Sequence, residues 1–200
     1  PYTVWFDDDT TEQCQALIIA TGASARFLGL AAEEKYRGQG VSACATCDGF
    51  FYRKKTVAVV GGGDTACEEA TYLAGLAQKV YLIVRKPFLR ASQAMQDRVM
   101  QNEKIEVLFE TNTLGLYGEN GVEGAHLVHR KGEDDERRSD LPIDGFFLAI
   151  GHKPNSELFT EWLKTDETGY IITEPDTPRT ALPGVFAAGD VADPRYRQAI

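Results

Sequence analysis

The chain has 200 residues, 43% hydrophobic and 26% charged, with a net charge of −9, and this acidic balance argues against nucleic-acid binding, which requires a basic face. No apolar run approaches the roughly 20 residues that cross a bilayer, and the first residues show no charged segment followed by an apolar one, so neither a membrane span nor a signal peptide is indicated. Four cysteines are too few for a disulfide-stapled secreted scaffold, and we therefore expect a cytoplasmic protein.

The first half of the chain predicts alternating strands and helices. An apolar run at 15–20 predicts a buried strand, and a mixed connector follows it at 24–40. The β-branched run at 56–60 is typical of a strand covered on both faces of a parallel sheet. A glycine turn, a helix at about 65–76 and a strand at 79–84 complete a strand–helix–strand unit.

The second half adds an antiparallel part to this pattern. In chain order it predicts a helix at 92–101, a short strand at 106–109, a hairpin formed by 114–117 and 122–129, a solvated charged loop at 133–140, and buried strands at 145–150 and 184–191. The predicted fold class is therefore α/β, a Rossmann-like parallel sheet domain with an antiparallel β hairpin or meander.

Cys44 and Cys47 form a Cys-x-x-Cys pair with Asp48 directly behind it. This spacing suits a disulfide across one turn at the start of a helix, and the thiolate is the reactive form in disulfide exchange. Asp48 is placed to exchange a proton with the neighbouring sulfur as thiol and thiolate interconvert. The alternative for Asp48 is a helix-capping carboxylate with no part in the chemistry.

The other interpretation of the cysteine pair is a zinc site, which needs four ligands. The sequence has no second Cys-x-x-Cys, and Cys14 and Cys67 stand alone. His126 and His129 are three residues apart on a predicted strand, so they point to opposite faces and cannot both reach one metal. We therefore predict no metal site and interpret Cys14 and Cys67 as small core or surface residues.

Residues 61–66 fit the G-x-G-x-x-A turn of a dinucleotide-binding unit. Gly61 permits the tight turn, Gly63 lets a pyrophosphate approach the start of the helix, and Ala66 lets the helix pack closely on the strand. The alternative is a tight turn that binds no nucleotide. Because the motif follows a predicted strand and opens a predicted helix, we predict a nucleotide site.

The strand after this turn ends in Arg85 and Lys86, with Arg90 four residues beyond Lys86. An NAD site places an acid about 20 residues after the glycines, where it bonds the ribose 2′-hydroxyl. No acid lies between Glu69 and Asp97. An arginine fork and a lysine charge suit a 2′-phosphate instead. We predict NADP(H), the alternative being basic side chains that only face solvent.

These motifs occur together in a family that the chain resembles, the low-molecular-weight thioredoxin reductases. A Cys-x-x-Cys pair just ahead of the NADP glycine turn is highly specific for that family. The resemblance runs over nearly all of the chain, and its further marks are ATGA at 20–23, AIGH at 149–152, GDV at 189–191 and YRQA at 196–199.

The resemblance implies a three-layer ββα architecture that binds FAD and NADP. Residues 1–26 and 153–200 would belong to an FAD-binding domain, and 27–152 would form an inserted NADPH-binding domain that carries the cysteine pair. Electrons would pass from NADPH through FAD to the Cys44–Cys47 disulfide and on to thioredoxin. Cys47 would lie nearer the flavin, and Cys44 would attack the substrate disulfide.

The resemblance also places site residues and a partner. The predicted catalytic residues are Cys44, Cys47 and Asp48. The predicted NADP-binding residues are Gly61, Gly63, Asp64, Thr65, Ala66, Arg85, Lys86, Arg90, Ile150 and Gly151. The predicted FAD-binding residues are Thr21, Gly22, Ala23, Gly189, Asp190, Arg197, Gln198 and Ala199. The implied partners are thioredoxin and, in a homodimer, a second copy of the protein, with neither nucleic acid nor membrane.

One expectation and two alternatives qualify the predicted activity. The family's first FAD-binding unit and closing helix have no counterpart here, and the chain begins without Met, so we expect part of a larger protein that carries the activity and the full FAD site. The same module also occurs in flavoproteins whose acceptor is a peroxiredoxin-linked domain or whose electron donor is ferredoxin. A non-catalytic nucleotide-binding module is a further alternative, against which the dithiol argues.

Overall fold

The structure, a computed structural model, describes residues 1–196. Its strands are β1 (Tyr2–Trp5), β2 (Thr11–Cys14), β3 (Leu17–Ile19), β4 (Ala23–Ala25), β5 (Val41–Ser42), β6 (Thr56–Val60), β7 (Lys79–Ile83), β8 (Ile105–Leu108), β9 (Thr111–Tyr117), β10 (Gly124–His129), β11 (Arg137–Pro142), β12 (Gly145–Leu148), β13 (His152–Pro154) and β14 (Val185–Ala187). Its α-helices are α1 (Ala31–Lys35), α2 (Ala45–Asp48), α3 (Asp64–Ala74) and α4 (Gln93–Met100), with 3-10 helices at Gly49–Tyr52, Glu157–Phe159 and Gly189–Val191.

The chain divides into two compact units. The central unit is Ala25–Gly151, and the terminal unit combines Pro1–Ser24 with the chain from His152 onward. The assignment of NADPH to 27–152 and of FAD to the two flanking segments stays a prediction.

A five-stranded parallel sheet forms the middle of the central unit, in the order β5-β12-β6-β7-β8. Successive residues of β6 point to opposite faces, so Val57 and Val59 join one core cluster and Ala58 and Val60 join the other. A strand buried on both faces needs a continuous apolar run, and this explains why the run at 56–60 predicted β6.

The two faces of this sheet are covered differently. One face packs against α3 and α4, which contribute the buried side chains of Leu73 and Val99. The other face carries an antiparallel sheet in the order β11-β10-β9, where Leu116 and Leu127 pack with Phe146 of β12. The result is a three-layer arrangement of helices, parallel sheet and antiparallel sheet, which confirms the predicted fold class.

The structure corrects two local predictions. Strands β9 and β10 form the expected hairpin, but the second half of the predicted charged loop at 133–140 is strand β11, paired with β10. Its side chains stay exposed apart from Leu141, and charge on an edge strand discourages pairing with other chains, so a charged run is compatible with a strand there. The connector at 24–40 contains the helix α1, which at five residues is too short to show a helical period.

The terminal unit is built around the parallel pair β3 and β14. Strands β1 and β2 form an antiparallel hairpin that the sequence did not predict, and β4 pairs with β13. Its core contains Ile19, Ile171, Val185 and Val191, all almost fully buried. Over the described residues, no helix has the length and apolar character that crossing a membrane requires.

Candidate active site

The cysteine pair lies at the first turn of α2. Cys44 is the residue before the helix and forms a disulfide with Cys47, their Cα atoms 5.3 Å apart. The Cys47 amide donates a hydrogen bond to Cys44 Sγ over 3.2 Å, and the Thr46 hydroxyl lies 3.4 Å from the same sulfur. Cys47 and Thr46 are exposed, so a partner can reach the pair from solvent. This arrangement suits reversible disulfide exchange at the surface.

Asp48 ends α2, and its amide donates a hydrogen bond to the Cys44 carbonyl over 3.2 Å. Its carboxylate makes no capping hydrogen bond to the 3-10 helix that follows, so the structure does not support the helix-cap alternative. The pKa of Tyr52 is raised first by burial and then by the negative charges of Asp48 and Asp144. Asp48 therefore lies directly after Cys47, and its role in proton exchange stays a prediction.

The glycine turn joins β6 to α3. Gly61 has φ +148°, and a Cβ there would lie 2.4 Å from the Ala149 carbonyl oxygen and 2.7 Å from the Ala66 Cβ. Only glycine therefore fits between α3 and the chain that follows β12. Gly63 has no atom within 4 Å of the place a Cβ would take, which leaves open the space that a pyrophosphate needs. The residues present fit a dinucleotide.

The start of α3 is held by its first residue. The Asp64 carboxylate accepts hydrogen bonds from the Ser92 hydroxyl over 2.7 Å and from the Ser92 amide over 2.9 Å. These bonds lower the pKa of Asp64, the hydroxyl having the larger effect. Thr65 is exposed beside it. Asp64 thus ties the segment before α4 to the glycine turn.

The basic residues lie beside this turn. Arg85 and Lys86 follow β7, and these two side chains and that of Arg90 are exposed. The Arg90 amide donates a hydrogen bond to the Gly62 carbonyl over 2.6 Å, which ties the basic segment to the glycines. Within residues 1–196 none of the three forms an ion pair with a carboxylate. Their charges are therefore available to an anion.

One edge of the parallel sheet collects these predicted residues. Strands β12, β6 and β7 are neighbours, and the pair Ile150 and Gly151, the glycine turn and the basic segment follow their carboxyl ends in that order. Ligands of open α/β sheets bind in the crevice outside the carboxyl ends of the strands. The structure thus brings the predicted NADP residues to one edge.

The dithiol helix packs against the nucleotide helix. A Cβ at Gly49, directly after α2, would lie 3.0 Å from Leu73 Cδ2 and 3.1 Å from Tyr72 Cε1, both on α3. Ala45 of α2 joins the same core cluster as Ala66 and Leu73. The cysteine pair and the glycine turn therefore share α3 as their support.

Sequence analysis missed Glu69 of α3. One of its carboxylate oxygens, Oε2, is buried and has no hydrogen-bond partner among the described residues. Burial raises the pKa of Glu69 to about 7, a hydrogen bond from the Ala45 amide opposes this rise, and the Glu68 charge adds to it. Nothing in the sequence marks this glutamate, because its position beside α2 depends on how the two helices pack.

The predicted flavin segments of the terminal unit follow the ends of β3 and β14. Because these strands are parallel neighbours, Thr21 and Gly22 lie at the same edge as Gly189 and Asp190. Gly22 (φ +71°) and Gly189 (φ +72°) have no atom within 4 Å of the place a Cβ would take. This open, glycine-containing edge fits part of a dinucleotide. The predicted Arg197, Gln198 and Ala199 lie outside the described residues.

Asn155 holds the first of these segments and was also missed from the sequence. Its side-chain Nδ2 donates to the Thr21 carbonyl over 2.9 Å, and its Oδ1 accepts from the Ser24 hydroxyl over 2.9 Å. Its backbone carbonyl accepts from the Thr21 hydroxyl over 2.6 Å, and its amide donates to the Gly22 carbonyl over 2.9 Å. Asn155 therefore fixes the turn after β3.

Of the remaining cysteines and histidines, Cys67, His126 and His129 have protein surroundings of their own. Cys67 is fully buried in the core, and burial raises the pKa of its thiol to about 11. His126 Nδ1 pairs with Asp140 over 2.6 Å, whereas His129 lies near a backbone carbonyl instead. Across residues 1–196 no group of three or more His, Cys, Asp or Glu side chains is arranged to hold a metal ion.

Comparison with known proteins places this geometry in a family. Residues 3–200 match the family model described as pyridine nucleotide-disulphide oxidoreductase. A thioredoxin reductase from Coxiella burnetii is 51% identical over 96% of the chain and 62% of its own length. A glucosaminate ammonia-lyase from Pseudomonas fluorescens is 50% identical over 100% of the chain and 63% of its own length. The crystal structure of thioredoxin reductase from Streptococcus pyogenes superposes with a TM-score of 0.83 at 38% identity, covering 96% of the chain and 61% of that protein.

Proposed function

The chain belongs to the pyridine nucleotide-disulphide oxidoreductase family, and from this we propose that it is the NADPH-binding and dithiol-bearing part of a thioredoxin reductase. The observation that carries the proposal is the Cys44–Cys47 disulfide on α2, which packs on α3, the helix that follows the glycine turn. The similarity to the Coxiella thioredoxin reductase supports it. Because the chain spans about three-fifths of that relative's length, the complete activity is proposed for a protein of the relative's length.

The nucleotide site is proposed for NADPH. Gly61 and Gly63 shape the turn against which the pyrophosphate would lie. The side chains of Arg85, Lys86 and Arg90 would hold the 2′-phosphate, since they are exposed and unpaired among the described residues. In the proposed reaction the electron pair for the disulfide comes from this nucleotide by way of FAD at the edge after β3 and β14.

The cysteines perform the thiol chemistry. Two electrons and one proton convert the Cys44–Cys47 disulfide into a thiol and a thiolate, and the Cys47 amide stabilises negative charge on Cys44 Sγ. The Cys44 thiolate attacks one sulfur of the thioredoxin disulfide and the other leaves as a thiolate, which gives a mixed disulfide. Cys47 then attacks Cys44 Sγ, releases reduced thioredoxin and restores the internal disulfide, while Asp48 exchanges the proton with Cys47.

A protein acceptor is supported by the surface next to the dithiol. Phe50 and Phe51, in the 3-10 helix after α2, are 63% and 71% exposed. Exposed aromatic side chains are enriched where proteins bind one another, because they bury a large apolar area. We propose that they contact thioredoxin. The protein is further proposed to be a homodimer, as the resemblance implies, and cytoplasmic, as its few cysteines indicate.

The test is to mix NADPH, FAD and oxidised thioredoxin with the chain and with a longer form of the relatives' length, and to follow the NADPH absorbance. The expected result is rapid, thioredoxin-dependent NADPH consumption by the longer form that Cys47→Ser abolishes. A flavin that NADPH reduces without thioredoxin turnover would overturn thioredoxin as the acceptor and favour a peroxiredoxin-linked relative. It would argue against a ferredoxin-linked relative, whose electrons come from ferredoxin. Nucleotide binding without any flavin or disulfide reduction would favour the non-catalytic module.

A further inference from the structure

The carboxylate of Glu69 has no role in the proposed thiol chemistry. It lies on α3, half-buried, with Oε2 buried and without a hydrogen-bond partner among the described residues. The amide of Ala45, the residue directly after Cys44, donates a hydrogen bond to the carboxylate. Ala45 is only 1% exposed, so this contact lies beneath the turn that carries the disulfide. An unpartnered carboxylate oxygen in such a place is costly unless the group is partly protonated.

The ionisation of Glu69 is poised near neutral pH. Burial raises its pKa to about 7, against the effect of the Ala45 amide and with a smaller contribution from Glu68. A carboxylate whose pKa is raised is ionised only as the pH rises through that value, so near pH 7 about half of the molecules carry the charge.

The other titratable groups near α3 fall into two sets. From α2 they are Cys44, Cys47 and Asp48. The charged side chains on the other elements packed against α3, and at their ends, have partners of their own. Lys79 pairs with Glu106 at 2.9 Å, Lys104 before β8 binds the carbonyls of Ala74 and Ala77, Asp97 accepts from Gln93 at 2.8 Å, and Arg98 lies near the sulfur of Met95. Asp64, at the start of α3, is bonded to Ser92. The group on α2 whose charge changes with the redox state is therefore the cysteine pair.

We propose that Glu69 takes up a proton when the Cys44–Cys47 disulfide is reduced. A two-electron reductant, either a dithiol or the reduced flavin of the proposed function, breaks the S–S bond, one sulfur is protonated, and Cys44 remains a thiolate. The charge on Cys44 then lies one residue from the Ala45 amide that donates to the half-buried Glu69 carboxylate, and the two negative charges repel each other. Proton uptake by Glu69 removes that repulsion and stabilises the thiolate.

In this proposal Glu69 acts on Cys44 through electrostatic repulsion alone and is not a catalytic residue. The inference rests on the proposed thiol chemistry of Cys44 but on neither the nucleotide nor the acceptor. Its test uses no NADPH, FAD or thioredoxin, so its failure is distinguishable from failure of the proposed function.

The test is the pH dependence of Cys44 alkylation in the whole chain carrying Cys47→Ser, which leaves Cys44 as a free thiol. Iodoacetamide is added between about pH 5 and pH 10, and peptide mass spectrometry follows the reaction at Cys44. Because coupled groups titrate in two macroscopic steps, we expect two inflections, one of them near pH 7. Adding Glu69→Gln should leave one inflection, with an unchanged rate near pH 5 and a rate about three- to ten-fold higher near pH 8.

Glu68→Gln is the matched control, because it removes the same charge from the neighbouring, exposed position. It should keep both inflections. An unchanged profile in Glu69→Gln, or the same change in both variants, would overturn the proposal, since the effect would then be absent or only that of surface charge.

A second measurement keeps the proposal testable if Glu69→Gln does not fold. The carboxyl ¹³C resonance of Glu69 in the unaltered chain is titrated in the disulfide form and after reduction by dithiothreitol. We expect its midpoint to rise on reduction, and a midpoint that stays the same in both forms would refute the proposal.

Discussion

The two flanking glycines of the nucleotide turn should respond to alanine in opposite ways. In Gly61→Ala the new Cβ meets the Ala149 carbonyl oxygen at 2.4 Å, at a backbone φ of +148° that side chains rarely adopt. Positive-φ strain costs about 1–3 kcal/mol and overpacking about 1–3 kcal/mol more. The lower entropy of the unfolded chain returns under 1 kcal/mol, so we expect a net loss of about 3 kcal/mol of stability.

Gly63→Ala is the matched variant, since its Cβ enters open space at φ −98°. Alanine is a poorer residue than glycine before a helix, but it restricts the unfolded chain, so stability should stay within about 0.5 kcal/mol. The methyl group takes the space of the pyrophosphate, and we expect NADPH to bind at least about ten-fold more weakly. Urea unfolding and nucleotide titration measure the two effects. A stable Gly61→Ala, or a Gly63→Ala that binds NADPH normally, would refute the interpretation of this turn.

Two further substitutions and one alkylation measurement test the remaining assignments. Arg85→Ala should weaken NADPH binding about ten-fold or more, while NADH binding changes less than two-fold. The control Arg137→Ala on β11 should change the binding of neither nucleotide. Equal losses for both nucleotides would show that Arg85 does not bind the 2′-phosphate. Asn155→Ala should lower the free energy of unfolding in urea by about 1 kcal/mol and should lower FAD retention in a protein of the relatives' length. Unchanged FAD binding would show that the turn after β3 is not part of the flavin site. Because the pKa of Cys67 is raised to about 11, only about one thiol in a thousand is ionised at pH 8. Iodoacetamide should therefore modify Cys67 more than about a hundred-fold more slowly in the folded chain than in urea. Comparable rates in the two conditions would contradict the burial of Cys67.

Features set by adjacent residues were predictable from the sequence. A short apolar run encodes strand β6, and the strand was predicted at the bounds that the structure gives it. The turn after it is encoded by glycines and an alanine that are needed there for their small size. The Cys-x-x-Cys spacing likewise predicted a disulfide at the start of a helix, which is where α2 places it.

Features that depend on contacts between residues far apart in the chain were not predictable from the sequence. Strand β11 carries charged residues that predict a loop, and only its pairing with β10 makes it a strand. Asn155 bonds Thr21 across 134 residues of sequence, and the shifted ionisation of Glu69 depends on the packing of α2 against α3. Burial and long-range hydrogen bonds arise from tertiary structure, and no local pattern encodes them.

The most direct measurement traps the exchange between this dithiol and thioredoxin. The chain carrying Cys47→Ser is mixed with thioredoxin whose own resolving cysteine is replaced and whose remaining thiol is activated as a mixed disulfide, and the adduct is located by peptide mass spectrometry. We predict a stable disulfide between thioredoxin and Cys44, and none when Cys44→Ser replaces Cys47→Ser at the same protein concentration. An adduct on Cys14 alone, or equal adducts on Cys44 and Cys47 in the two variants, would contradict the assignment of Cys44 as the thiol that attacks the acceptor.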